Sequence, residues 1–227
     1  EADEIIGGYR FTRWKMASFH PNGQPYVNTE HLFDFSQKFL DNEFPHCIEM
    51  ARAFVQPKYQ SAAGGRKALF ALDNLWDGIG GLIATDPTVK YLSGKVTIYS
   101  TSPEMSRKAM VYYLDMSFGD REGLITSKNP ETCTPEQIAF FKELFTGADY
   151  KENYAILNNY VKSLGDSIPP FIHLYIGLSP TMKTFGTTFD PDFGDCYDTA
   201  MIITTDDIYP DKYKRYVESY EKCKVRK

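Results

Sequence analysis

Residues 66–85 constrain the fold most, because their apolar side chains recur at the spacing of an amphipathic helix. Strand-type segments rich in β-branched and aromatic residues lie on both sides, at 47–55 and 95–100. The apolar positions of the helix are Leu69, Leu72, Leu75, Trp76, Ile79, Leu82 and Ile83. A helix between strands indicates an α/β or α+β fold built on a mixed sheet.

Turn and capping signals predict the other elements. A strand is predicted at 5–14 and a short helix at 32–42. Ser102-Pro103 and the capping box at Thr134 each start a helix. Apolar runs at 171–178 and 199–205 predict a late strand pair, and a charged helix follows from Pro210.

The 227 residues, 42% of them hydrophobic, are enough for one large domain. We predict a single domain over 1–227, with core strands and helices in 1–118 and a helical insertion in 119–167, its helices at about 120–166. The C-terminal strand pair occupies 168–208 and a terminal helix 209–227.

Charge and cysteine spacing exclude several classes of protein. The net charge of -5 gives no attraction to nucleic acid. The four cysteines, Cys47, Cys133, Cys196 and Cys223, form no C-x-x-C pair, and the histidines lack metal-binding spacing. No apolar stretch reaches the roughly 20 residues that span a bilayer. We expect a cytoplasmic protein with reduced thiols and no metal site.

The densest chemical signal is EMARAFVQPKYQ at 49–60. On a regular strand Glu49 and Arg52 point to opposite faces, so a bulge is needed to bring them together. The alternative is a purely structural role, in which Glu49 and Arg52 form an ion pair at the strand end that contributes at most about 1 kcal/mol to stability. Arg10, on the first strand, has a similar alternative as an edge-strand charge.

Five motifs in order resemble the hemolysin-like N-acyltransferases that include ornithine-lipid and glycine-lipid synthases, distant relatives of acyl-homoserine-lactone synthases. The motifs are GGYR at 7–10, EMARAFVQPKYQ at 49–60, LWDGI at 75–79, Pro169-Pro170 and DPDFG at 190–194. Ala51 and Gln60 depart from the family's usual Gly and Arg. DPDFG is more often a turn than a site, so we interpret it as a structural turn that could shape the acceptor pocket. The resemblance implies an acetyltransferase-like (GNAT) fold whose N-terminal part is missing here.

The resemblance also implies a reaction: transfer of a fatty acyl group, 3-hydroxylated in the lipid synthases, from an acyl carrier protein thioester to a small amino acid. The donor is a 4'-phosphopantetheine thioester or acyl-CoA, and no cofactor is bound permanently. An attacking amine must lose a proton, and Glu49 is the candidate base. Backbone N–H groups near Arg52 to Phe54 are candidate oxyanion donors. Arg10 and Arg52 suit an acceptor carboxylate, with Phe54 in the substrate site.

Two further groups complete the predicted site. Family position suggests Tyr113, or its neighbour Tyr112, as proton donor to the leaving thiolate; the alternative is that both are core aromatics. The loop after the motif has glycines that can offer N–H groups to the phosphate of a pantetheine arm. Its predicted contacts are Gln60, Gly64, Gly65, Arg66 and Lys67.

Two other functions stay open on the sequence. One keeps the fold but uses acetyl-CoA or a short acyl-CoA and a small metabolite. The other is a membrane-active protein, which the family label suggests, although no segment is a basic amphipathic helix. Under the lipid-synthesis hypothesis the protein works in aminolipid biosynthesis, with acyl carrier protein as partner and peripheral association at the inner membrane face.

Overall fold

A computed structural model describes residues 4–60 and 74–220, and its centre is a five-stranded sheet. The strands are β1 (Gly7–Arg13), β3 (Cys47–Val55), β4 (Tyr91–Ile98), β7 (Cys196–Thr204) and β6 (Lys183–Asp190), in that spatial order. Strands β3 and β4 are parallel, and all other neighbours are antiparallel. The predicted mixed sheet flanked by helices is confirmed.

Helices and two short strands surround this sheet. Helix α2, described over 74–85, lies between β3 and β4 in sequence. The others are α1 (Gln37–Asn42), α3 (Glu104–Phe118), α4 (Pro135–Leu144), α5 (Tyr150–Ser163), α6 (Pro170–Ile176) and α7 (Pro210–Tyr213), which continues as a π-helical turn (Lys214–Glu218). Strands β2 (Phe33–Phe35) and β5 (Ile125–Ser127) form a separate two-stranded sheet.

The sheet carries a hydrophobic core on each face. Consecutive strand residues point to opposite faces, and Ile202 and Ile203 accordingly belong to different cores. The helical face is packed by α2, α3, α5 and α6, with Trp76 and Leu157 among its residues. The Trp14 face buries Trp14, Phe39 and other aromatic side chains.

Local signals explain the helices between α3 and α6. The Thr134 hydroxyl accepts from the Gln137 N–H and the Gln137 side chain from the Thr134 N–H, so the predicted capping box is confirmed. Asp149 caps α5 without a capping box, because its carboxylate accepts from the Lys151 and Glu152 backbone N–H groups. Gly165 follows α5 with φ +76°, a left-handed conformation that suits glycine. Strands β2 and β5 were not predicted, and the helix predicted at 32–42 begins only at Gln37, after the Ser36 cap, because Phe33–Phe35 pair with β5.

The strand prediction at 171–178 is wrong, because this segment contains α6. Pro170 stands at the first helical position, where its fixed φ and missing N–H are tolerated. The partner of β7 is instead β6, which lies in the segment predicted as a connection. The late strand pair therefore exists, with one member shifted along the chain.

Within the two described ranges, no helix is long and apolar enough to cross a bilayer. The same residues contain no group of three or more His, Cys, Asp or Glu side chains placed to hold a metal ion. Cys47, Cys133 and Cys196 are free thiols. Cys223 lies outside the described residues.

Candidate active site

The sheet opens between its two parallel strands. Pairing of β3 with β4 runs from Cys47 and Tyr91 to Met50 and Gly94, where it ends. Beyond that step β3 continues against β1 only, and β4 against β7 only. We call the opening beyond Met50 and Gly94 the strand gap. Backbone groups that line such a gap are available to a ligand.

A bulge bends β3 where the strand gap begins. Gly8 pairs with Phe54 and Arg10 with Ala51, so one residue of β1 opposes two of β3. Arg52, in the bulge, has φ +53°, which is rare for a residue with a side chain. The bulge allowed for in the sequence motif is present, and it turns β3 away from β4.

Glu49 lies one residue before the strand gap, on the Trp14 face, and is only 2% exposed. Its Oε2 accepts from the Trp14 indole N–H at 3.1 Å and the Asn28 backbone N–H at 3.2 Å. Its Oε1 is buried and has no hydrogen-bond partner among the described residues. Burial raises the pKa of Glu49, and these hydrogen bonds offset part of that rise.

A charged network adjoins Glu49 on the same face. The Lys95 ammonium lies 2.5 Å from Asp198 and 3.4 Å from Asp190, and both carboxylates are buried. His31 lies 3.4 Å from Asp190. Burial alone would raise the pKa of Asp190, but the His31 hydrogen bond and the Lys95 charge together lower it.

Two arginines of the predicted site form no hydrogen bond or ion pair with Glu49. Arg10 and Arg52 are exposed, and neither forms a side-chain hydrogen bond or ion pair with a described residue. Phe54 is 51% exposed, and its ring faces Gly8. Contact of these three side chains with a substrate stays a prediction.

The predicted tyrosines lie in the interface between helices. The Tyr113 hydroxyl is buried and donates to the Tyr150 carbonyl at 2.8 Å, which links α3 to α5. Tyr112 stacks on Phe145 with ring centroids 5.8 Å apart. These contacts match the core alternative, and within the described ranges neither hydroxyl forms a hydrogen bond with Glu49. Their proton-donor role remains a prediction.

The predicted phosphate loop is described only at its first residue. The Gln60 side chain donates to the Val55 carbonyl at 2.6 Å and so closes the turn after β3. Gly64, Gly65, Arg66 and Lys67 lie outside the described residues.

Sequence reasoning missed a tyrosine at the strand gap. The Tyr175 hydroxyl, from α6, lies against the Gly94 backbone. The strand predicted over this segment concealed it, although Pro169-Pro170 signalled a helix start. Lys95 and Asp198 were missed because nothing in their spacing indicates that two strands place them side by side. The turn predicted at 190–194 is present, with Asp190 accepting from the Asp192 N–H.

A mixed sheet with helices on its faces, whose parallel strands diverge beside a buried carboxylate, is compatible with an acetyltransferase-like acyltransferase. Relatives with known names agree. The chain is 43% identical over 223 residues to a glycine N(alpha)-acyltransferase of Phocaeicola vulgatus, covering 98% of this chain and 68% of that protein. It is 42% identical over 223 residues to a protein of the same name from Bacteroides thetaiotaomicron, covering 97% and 65%.

The chain belongs to the family of N-acyltransferases that these two proteins represent, and it is an enzyme of the transferase class. It spans about two thirds of the length of both relatives. No protein-family model matches the chain. No solved structure matches it either.

Proposed function

We propose that this protein transfers an acyl group from a thioester to the amine of a small amino acid, with glycine as the first candidate. The two relatives are named for acyl transfer to glycine, which supports the choice of acceptor. The observation that carries the chemistry is Glu49, a buried carboxylate with one unpartnered oxygen at the strand gap.

Glu49 suits the base step. The acceptor amine must lose a proton to attack the thioester carbon, and a positioned carboxylate can take it. The raised pKa of Glu49 makes it a stronger base than an exposed glutamate. The Trp14 and Asn28 contacts fix Oε2, so Oε1 is the oxygen that accepts the proton. The C–N bond then forms, and the C–S bond breaks as the thiolate leaves.

The charges around Glu49 suit an acceptor that arrives as an ammonium ion. Such an acceptor loses one proton to solvent before it attacks, and the second passes to Glu49 as the C–N bond forms. Glu49, Asp190 and Asp198 contribute three carboxylates to this face, against one ammonium from Lys95. Their net negative field attracts a cationic amine. In this proposal Arg10 and Arg52 at the exposed end bind the acceptor's carboxylate through their planar guanidinium groups.

The donor in this proposal is a fatty acyl thioester of an acyl carrier protein, and the product is an aminolipid made at the cytoplasmic membrane face. Phosphate of the pantetheine arm would bind the loop at 60–67. Ornithine as acceptor, and membership of the hemolysin-like group, belong to the same proposal. The competing donor is acetyl-CoA or a short acyl-CoA.

Glu49→Gln in the full-length enzyme tests the base. We expect a fall in rate of about 10²- to 10⁴-fold with glycine and an acyl carrier thioester, the range for loss of a general base. Glu43→Gln is the matched control, because Glu43 also has a raised pKa and a buried unpartnered oxygen but precedes β3. It should retain activity. Full activity of Glu49→Gln would refute the assignment.

Competition assays separate the donors and acceptors. Wild-type enzyme should prefer long acyl chains on carrier protein to acyl-CoA, and glycine to ornithine. A preference for acetyl-CoA would favour the second function. Leakage of liposomes caused by a variant lacking both Glu49 and Arg52 would instead support the membrane-active hypothesis.

A further inference from the structure

Tyr175 reaches the step at which the two parallel strands separate. A Cβ atom built on Gly94 would overlap the Tyr175 hydroxyl and lie 3.4 Å from the Met50 carbonyl oxygen. Met50 and Gly94 are the last paired residues of β3 and β4. The phenol therefore lies at the mouth of the strand gap, beside both strands. Only glycine at position 94 allows this approach.

The ring of Tyr175 is packed in the core, whereas its hydroxyl makes no hydrogen bond to a described residue. The residue is 4% exposed, and its ring lies edge-on to Trp76 at 5.8 Å. Among the described residues its hydroxyl has no hydrogen-bond partner. A hydroxyl that makes no hydrogen bond to the protein and lies where the strand pairing ends can donate to a ligand bound there.

Tyr175 and Glu49 flank the strand gap from opposite faces of the sheet. Tyr175 packs in the core of the helical face, whereas Glu49 bonds to Trp14 on the other face. Burial, and to a lesser extent the charge of Glu49, raise the pKa of Tyr175. The phenol therefore stays protonated and remains a hydrogen-bond donor. A thioester in the strand gap would have a base on one side and a donor on the other.

We propose that Tyr175 is a catalytic residue whose hydroxyl donates a hydrogen bond to the thioester carbonyl oxygen as that oxygen becomes an oxyanion. This inference rests on the proposed acyl transfer. As the C–N bond forms, the carbonyl π electrons move to oxygen, where Tyr175 stabilises the negative charge without losing its proton. The oxyanion then collapses, the C=O bond re-forms and the thiolate departs.

The oxyanion is the better partner for this phenol than the leaving sulfur. Free thiols have pKa values near 8.5, so a phenol whose pKa is raised is a weak acid toward a thiolate. Hydrogen bonding to an oxyanion requires no proton transfer, and tyrosine hydroxyls are among the side chains that serve in oxyanion holes.

Tyr175→Phe in the full-length enzyme tests this role, because phenylalanine keeps the ring that packs on Trp76. We expect kcat to fall about 10²- to 10³-fold, as for loss of one oxyanion donor, with the donor KM changed only a few-fold. Tyr154→Phe is the control, since Tyr154 lies in the same core against His173 and should retain the wild-type rate.

A series of donor thioesters with leaving thiols of increasing pKa separates the two chemical roles. For an oxyanion donor, the ratio of wild-type to Tyr175→Phe rates stays constant across the series. A ratio that rises with thiol pKa means sulfur protonation and overturns the proposal, as does an undiminished rate for Tyr175→Phe. If wild-type enzyme transfers no acyl group, the proposed function fails instead, whereas a fully active Glu49→Gln removes only the assignment of the base.

Discussion

Glu49 shows how surroundings change the chemistry of a single residue. Burial makes its ionised form less favourable in the folded protein than in the unfolded chain, so its folded pKa is raised. The folded state therefore holds this proton more tightly. The stabilisation gained from protonating Glu49 is complete below the unfolded-state pKa of about 4.3. It is lost as pH rises through the pKa of Glu49 in the folded state.

Glu49→Gln removes this titration and so changes the pH dependence of stability. We expect the free energy of unfolding of the variant, minus that of wild type, to increase as pH rises from 4 and to level off above the folded pKa. Urea unfolding of both proteins between pH 4 and 8 measures the difference, in which other titrating groups cancel. A difference that falls with pH would contradict the raised pKa.

The backbone of Arg52 is strained, because its φ is positive and the residue has a side chain. At its φ of +53°, glycine avoids a steric cost of about 1–2 kcal/mol that any other residue meets. We expect Arg52→Gly to be more stable than Arg52→Ala by about 1 kcal/mol in thermal unfolding. Exposed Arg10 in β1 is the control. There Arg10→Gly should be less stable than Arg10→Ala, because glycine loses more conformational freedom when a strand forms. The same order at both positions would contradict the strain.

Individual site residues were predictable only where they lie inside a sequence motif and their side chains suit the reaction. Glu49 stands out because it lies in the motif at 49–60 and a carboxylate can act as the base, and the structure shows it buried. Its partners Trp14 and Asn28 come from distant segments, and no spacing rule connects them to it. Tyr175 reaches the strand gap only because its segment is a helix. The wrong strand prediction for that segment is why Tyr175 was not proposed as a site residue.

Elements were predictable where local signals agree with tertiary packing. The predicted bounds of β3 are those observed, since its apolar start and the proline after it mark both ends. The sequence at 171–176 is rich in strand-favouring residues, yet Ile172, Tyr175 and Ile176 are its buried positions, which is helical spacing. Burial of that face and the proline start outweighed the strand propensity.

Strand β6 escaped prediction because its signals are polar and irregular. Gly186 has φ +82°, and the pairing with β7 shifts between Thr184 and Thr187. Such a bulge breaks the alternation on which strand prediction depends. The Thr187 and Thr199 hydroxyls bond to each other at 2.6 Å, so buried polar side chains are satisfied in a way that periodicity does not reveal.

Helix α2 packs against the C-terminal turn through a glycine. A Cβ at Gly80 would overlap the backbone carbonyl of Tyr216, which cannot rotate aside. We expect Gly80→Ala to destabilise the protein by about 1–3 kcal/mol in chemical unfolding, despite the better helix propensity of alanine. At Gly78 the same methyl group meets only the Tyr9 hydroxyl, at 2.6 Å. Gly78→Ala should therefore cost less; equal losses would refute the backbone contact.

At the scale of the whole molecule, one sheet joins two cores. Tyr91 and Leu92 of β4 contact different cores, as do Ile202 and Ile203 of β7. Neither core can loosen without exposing one side of the strands that the other core packs against. This sharing gives a physical reason for the predicted single domain over 1–227, because cooperative unfolding follows when two cores share the same strands.

Two truncations test that cooperativity. Phe39 on the Trp14 face and Leu157 on the helical face are both fully buried, with 0% exposure. Phe39→Ala should cost about 3–5 kcal/mol and Leu157→Ala about 2–5 kcal/mol, from lost burial and the cavities left behind. If the cores are coupled, each variant shifts one common urea transition, with tryptophan fluorescence and circular dichroism coinciding and the slope unchanged. Two separate transitions, each moved by only one substitution, would show that the faces unfold independently and would divide the predicted domain.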